Sequence, residues 1–404
     1  MNSKDFYMPQ PASTAADQPS SPPAAWWAVV SLALGAFGLV TAEFLPISLL
    51  TPMATELGAS NGVVGQAITA TAVVAAFAGP LMVLCAGRLD RQKIVWGLMV
   101  VLVLSSVLSA YASSVAILLI ARGLLGFALG SFWAMMTALA LRLVPPDKVP
   151  KAISIILMGI SFATVFAAPL GAFLGDLWGW RMTFLAASGI GVAALAIQML
   201  TLPRLPSAAA PGLASFKAAL SRRAVVIGLI TGLLVISGHF AALTFIRPFL
   251  EEVPRLDVGT VSLTLLAFGV CGFFGNLIGG VVAARSPAWA VASCSFLITL
   301  VALALVLFGA EVNVAFVATA LWGFAFGAFP VSISVWNARA AADHAESAGA
   351  LLSSTFQVAI ATGAVLGGLI IDGFGAKAVI LYACTATLAG AALMFVRGRA
   401  LERS

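Results

Sequence analysis

Charge is scarce in this chain. Its 21 Lys or Arg and 15 Asp or Glu among 404 residues make up 9% of the sequence, against about 25% in an average soluble domain, which excludes a water-soluble globular protein. Histidine is scarcer still, with only His239 and His344, and the four cysteines, Cys85, Cys271, Cys294 and Cys384, lie in or beside apolar stretches without Cys-x-x-Cys spacing. Neither a disulfide framework nor a metal site is indicated. A polytopic membrane enzyme needs clustered His, Asp or Cys at one membrane face, and no such cluster exists in the sequence. A Gly-x-x-x-x-Gly-Lys loop is also missing, which argues against ATP drive. The net charge of +6 comes from basic residues in ones and twos beside apolar runs, so nucleic acid is not an expected partner and no cofactor is expected.

What is abundant is apolar length. Hydrophobic residues make up 61% of the chain and the mean hydropathy is +1.08. Twelve apolar runs are long enough, or nearly so, to cross about 30 Å of hydrocarbon: 26–50, 63–84, 94–111, 115–141, 152–174, 182–202, 224–249, 261–282, 288–308, 312–335, 348–371 and 379–396. The fold class is therefore an all-α polytopic membrane protein embedded in a lipid bilayer. Residues 1–25 are rich in Pro, Ser and Ala with Lys4 as their one basic residue, and read as a disordered cytoplasmic tail, not a signal peptide. Residues 398–404 read as a second tail. With both termini in the cytoplasm, 16 of the 21 basic residues fall inside. Arg181, Arg247, Arg255 and Lys377 fall outside, the even number of spans agrees with both termini on one side, and Arg122 alone lies within a span. Arg247 at the outer end of its span is expected to snorkel to the headgroups.

The chain also repeats itself. Gly126-Phe127-Ala128-Leu129-Gly130-Ser131-Phe132 returns 197 residues later as Gly323-Phe324-Ala325-Phe326-Gly327-Ala328-Phe329, and Ala168-Pro169-Leu170-Gly171 with Asp176 and Gly179 returns 196 residues later as Ala364-Val365-Leu366-Gly367 with Asp372 and Gly375. The same shift sets Phe44 on Phe240 and Pro52 on Pro248. Two six-helix halves, 26–202 and 224–397, joined by the Pro- and Arg-containing linker 203–223, are expected. A parallel repeat of this kind marks a secondary transporter with its site at the midplane between halves.

Within this apolar frame a few residues are out of place. Glu43, in Thr41-Ala42-Glu43-Phe44-Leu45-Pro46, sets a carboxylate inside a span, where an ionisable group must face a cavity or a partner. Arg122 and His239 fall at about the same depth, some 12–15 Å in at about 1.5 Å per residue, so Glu43, Arg122 and His239 are the proton-coupling candidates. A static Glu43–Arg122 pair and a merely packing His239 remain alternatives. Gln66, Trp133, Asn276, Trp322, Trp336 and Gln357, inside or at the end of spans, are candidates for binding a solute, with each tryptophan alternatively an interface or core residue. Gly126, Gly130, Ala134 and Ala138 line one helix face and are read as close helix packing, not chemistry.

Gly87-Arg88-Leu89-Asp90-Arg91-Gln92-Lys93, between the second and third spans, resembles the loop signature of the major facilitator superfamily, without its second glycine. Arg122 in Ile120-Ala121-Arg122-Gly123 is similar to that family's fourth-span arginine, and Ala168-Pro169-Leu170-Gly171 to its antiporter signature, with Ala168 where the family has glycine. The resemblance implies the major facilitator fold, twelve helices in two halves, with Gly87, Asp90, Arg91, Pro169 and Gly171 serving gating. Within the drug:proton antiporter group, the stretch from Glu43 to Ala54, Phe132 to Met135, Arg142 to Pro146 and Ile246 to Pro248 is similar to bacterial purine ribonucleoside exporters. That implies proton-coupled efflux of a purine nucleoside such as inosine or guanosine across the inner membrane by a monomer that is not an enzyme. Sugar exporters of the arabinose type and multidrug exporters of the same group are the alternative.

Overall fold

The computed structural model describes residues 25–85, 89–145, 148–205 and 213–400. The tail over 1–24, Gly87 and Arg88, the middle of the linker and residues 401–404 lie outside the described residues. All regular structure described is helical. In chain order the helices are α1 (Trp26–Leu57), α2 (Asn61–Cys85), α3 (Arg91–Ala110), α4 (Val115–Leu143), α5 (Val149–Thr201), α6 (Leu213–Leu220), α7 (Arg223–Thr244), α8 (Ile246–Glu252), α9 (Val258–Arg285), α10 (Pro287–Phe308), α11 (Val312–Ala340), α12 (Ala345–Phe374) and α13 (Ala376–Leu393). Eleven of these are long and apolar enough to cross a membrane. The 53-residue α5 breaks its helical backbone at Gly179, so it holds two spans and the total is twelve.

Where the structure departs from the sequence-based spans, backbone chemistry explains it. The fifth and sixth spans meet without a loop because Gly179 takes φ 78° and ψ 158°, a region open to glycine alone among common residues. Gly375, its counterpart in the repeat, takes φ 81° and ψ 173° between α12 and α13. The seventh span is not continuous through residue 249, because Pro248 has no N–H for the carbonyl of Thr244 and its ring crowds that carbonyl. The helix ends at Thr244 and resumes as α8. The linker is not wholly irregular, since α6 packs on α7 and α12.

The repeat sets the packing. α4 crosses α2 so closely that a Cβ on Gly126 would fall on the Thr71 carbonyl and one on Gly130 on that of Ala75. α11 crosses α9 in the same way, Gly323 against the Phe268 carbonyl and Gly327 against that of Gly272. Each half also rests α1 on α5, or α7 on α12, while α2 meets α12 and α5 meets α9 between halves. Buried apolar side chains fill two principal clusters, one within the first half, mainly on α1 and α3–α5, and the other reaching across the halves.

A branched side chain at the tightest crossing has nowhere to go. Gly323→Val is expected to destabilise the detergent-solubilised protein by about 1–3 kcal/mol, read as a lower thermal midpoint. Gly189→Ala, with nothing within 4 Å of its added carbon, is the control and should leave the midpoint level or higher.

Candidate functional site

α1 carries two internal prolines, Pro46 and Pro52. Each removes the N–H that would have bonded the carbonyl four residues earlier, leaving Ala42 and Ser48 with free acceptors inside the protein. Two arginines supply the missing donors. Arg122 of α4, 1% exposed, donates from Nη1 to Ala42 O at 2.7 Å and from Nη2 to Glu43 O at 3.1 Å. Arg247 of α8 donates from Nη1 to Ser48 O. The first bond lies within one half and the second joins the two halves.

Arg247 therefore does not snorkel outward. Its Nε pairs with Glu251 at 2.7 Å, and the other oxygen of Glu251 accepts from Thr51 Oγ1 of α1 at 2.6 Å. A second clasp lies beside it, where Asp372 of α12 accepts from Gly62 N at 3.0 Å and from Ser60 Oγ at 2.6 Å, so a carboxylate of one half caps the first turn of a helix of the other. Both clasps are at the end remote from the linker. That end is shut.

Between the halves a cavity of about 500 Å³ runs from Glu43 and Phe240 to Ala338 and Gly349 near the linker end. Phe44, Phe240, Phe268, Phe326 and Phe356 dominate its wall, with Ser161, Thr164, Ser334 and Ser353 among the polar exceptions. Glu43 is the one carboxylate among the described lining residues, and no Lys, Arg or His lines it. Of the residues singled out in the sequence, Glu43, Trp133, Asn276 and Gln357 meet here, and Gln357 Oε1 is buried without a hydrogen-bond partner.

The others sit elsewhere. No ion pair among the described residues joins Arg122 to the Glu43 carboxylate, because the guanidinium is occupied with carbonyls. His239 is fully buried and lies behind the wall, its Nδ1 accepting from Trp322 Nε1 at 3.0 Å. Trp322 is thus a second-layer residue and not a cavity surface. Trp336 donates to Ala224 O at 3.0 Å and Gln66 to Gly62 O at 3.1 Å, both away from the cavity. Pro169 is buried within α5, and a Cβ on Gly171 would fall on Ser48 Oγ, so this segment packs α5 on α1 inside one half.

The loop before α3 is equally inward-looking. Asp90 accepts from Gln92 N and Leu205 N, both at 2.9 Å, while Arg91 N donates to Leu205 O at 2.8 Å. The Leu205 amide foremost, with Gln92, holds the Asp90 carboxyl below the usual carboxylate range. Asp90 and Arg91 tie the start of α3 to the start of the linker. Sequence reasoning missed the Phe wall and the Ser48, Thr51 and Glu251 clasp. The match of Phe44 with Phe240 across the repeat was the available signal, since both line the cavity.

A sequence profile of the Major Facilitator Superfamily matches residues 32–285 and 252–403. The chain belongs to the Major Facilitator Superfamily. Members of that superfamily transport, and this one is not an enzyme. The purine ribonucleoside efflux pump NepI of Escherichia coli O1:K1 / APEC is 40% identical over 369 residues, 91% of this chain and 93% of that protein. NepI of Salmonella paratyphi B is 41% identical over 350 residues, 87% of this chain and 88% of that protein. Among solved structures, a bacterial homologue of the human lysosomal transporter Spinster, inward-facing and unoccupied, superposes with a TM-score of 0.74 over 93% of this chain and 96% of its own, at 15% identity. That likeness is one of fold.

Removing Arg247 frees Ser48 O and Glu251 together. In a cysteine-free background, Arg247→Ala should raise the labelling of Phe44→Cys by a polar thiol reagent from the far side about tenfold or more, since bonds to charged groups contribute about 1.5–3 kcal/mol. Labelling that stays at the parent level means the far end is held by other contacts.

Proposed function

We propose that this protein exports purine ribonucleosides such as inosine and guanosine across the bacterial inner membrane in exchange for protons. The observation that carries the reading is the single carboxylate of Glu43 in an otherwise aromatic and neutral cavity, in a chain 40% identical to NepI over most of its length. A cavity of about 500 Å³ falls within the usual range for small-molecule sites, about 300–1,000 Å³. Aromatic walls suit a purine ring, and neutral amides and hydroxyls suit its edge and the ribose.

The two halves, 26–202 and 224–397, rock about this cavity as units joined by the linker 203–223, and the linker end is cytoplasmic, where the basic residues collect. A nucleoside enters from that end and meets Trp133, Asn276 and Gln357, while ionised Glu43 accepts a hydrogen bond from a solute hydroxyl. Opening the far end breaks the Arg247 and Asp372 clasps. A proton arriving from that side neutralises Glu43, weakens its bond to the solute and promotes release. Proton and solute are then reciprocally coupled through one side chain. Arg122 keeps that side chain in place by holding the backbone beneath it, which is a structural part in coupling. The protein works as a monomer and without a cofactor.

Inside-out vesicles test this directly. An imposed proton gradient should drive uptake of inosine or guanosine, whereas uptake of arabinose or a lipophilic cation with nucleosides ignored overturns the substrate. Glu43→Gln should abolish gradient-driven accumulation and retain nucleoside exchange, and Arg122→Ala should impair both. Full accumulation by Glu43→Gln shows that the proton travels elsewhere. Trp133→Ala should weaken nucleoside binding by about 1–3 kcal/mol if the base stacks there, and unchanged affinity assigns Trp133 to the wall alone.

A further inference from the structure

The wall opposite Glu43 has a second layer. His239 of α7 lies face to face with Phe326 of α11, ring centroids 3.3 Å apart and planes parallel within 3°. Trp322, one turn before Phe326 on the same helix, directs its indole N–H at His239 Nδ1 at 3.0 Å and stands nearly perpendicular to the imidazole, at 81°. Phe240 meets the same imidazole edge-on at 85°. Phe268 lies within 20° of parallel to it, at 6.2 Å, and meets Trp322 edge-on at 87°. Of these five rings, Phe240, Phe268 and Phe326 line the cavity, while His239 and Trp322 are 0% and 3% exposed.

We propose that His239 is a positioning residue for solute recognition: pinned by Trp322, it fixes the Phe326 ring as the flat surface on which the solute's ring system lies. The substrate side of this inference rests on the nucleoside reading above. A phenyl ring alone in a soft apolar wall can tilt about its χ2 torsion, which is broad for aromatic side chains. An imidazole covering one face removes that freedom if it is itself held, and a hydrogen bond to Nδ1 holds it. A second aromatic hydrocarbon in place of His239 could stack but could not accept the indole proton. Accepting at Nδ1 also leaves the neutral ring its proton on Nε2, and that atom is buried without a partner. A proton carrier needs a path from solvent to the atom that titrates. His239 has aromatic rings on that path, so its service to transport is geometric.

Two kinds of variant separate this role from proton transfer. Trp322→Phe removes the pin and keeps the bulk, while His239→Leu removes the stacked ring. Each is expected to raise the apparent KM for inosine about three- to tenfold, by the scale of aromatic pair energies, with a smaller fall in turnover and the pH profile of exchange where it is in the parent. Phe326→Leu should raise KM alike, and Trp322→Phe added to it should do little more, because both act through one surface. Full additivity, or KM unmoved in Trp322→Phe while Phe326→Leu raises it, overturns the proposal. So does His239→Leu that keeps the parent KM but loses gradient-driven accumulation and flattens the pH profile, the outcome for a proton carrier. Parent vesicles that carry no inosine overturn the nucleoside reading instead. The support is then judged without a solute, by the indole Nε1 proton resonance of Trp322: a shift in His239→Leu upholds it, and a resonance unmoved in that variant overturns it.

Discussion

A proline inside a membrane helix leaves a carbonyl that neither water nor lipid can satisfy, and much of this structure follows from where its two α1 carbonyls find donors. Ala42 takes Arg122 from α4, inside its own half. That bond and its neighbour to Glu43 O hold the backbone at Glu43 from within one half. Ser48 takes Arg247 from α8, across the interface, so its satisfaction depends on the halves being together at that end. One helix thus holds the same contact twice, once within its half and once across the interface. The local break that carries Arg247 inward is itself the work of a third proline, Pro248, which ends α7 one residue before Phe245.

The cavity is shaped by a division between wall and support. Its surface is aromatic and neutral apart from Glu43, while the other two buried ionisable side chains at that level, Arg122 and His239, are turned away to hold backbone and rings. The buried cation nearest this acid, Arg122, is committed to the backbone carbonyls of Ala42 and Glu43 and makes no ion pair with the carboxylate among the described residues. The protonation state of Glu43 is then open to whatever solute and solvent bring, which is what coupling by a single group requires.

The repeat gives the halves the same scaffold and different ends. Gly179 and Gly375 turn the chain alike, and the glycine crossings of α4 on α2 and α11 on α9 are copies of one another. Yet α9 is capped by its own Asp257, at 3.1 Å to Thr260 N, while the first turn of α2 adds Asp372 of the other half to the cap from its own Ser60. Duplicated packing keeps each half rigid. The cap borrowed across the interface ties the halves together at that end.

The sequence by itself determined the membrane class, the twelve spans, the internal repeat and Glu43 as the residue that must face a cavity, because hydropathy, fixed offsets and a charge in hydrocarbon are local properties of the chain. Trp133, Asn276 and Gln357 were legible for the same reason, as polar-tipped groups in apolar runs. Only the tertiary structure decided that Arg122 serves carbonyls and not the carboxylate, that Arg247 crosses between halves, and that Trp322 and His239 stand behind the wall while Phe326 stands in it. Helix rotation settles which face a residue presents, and every face of these helices is apolar enough to be buried or to meet lipid. Periodicity could not choose among them, and packing did.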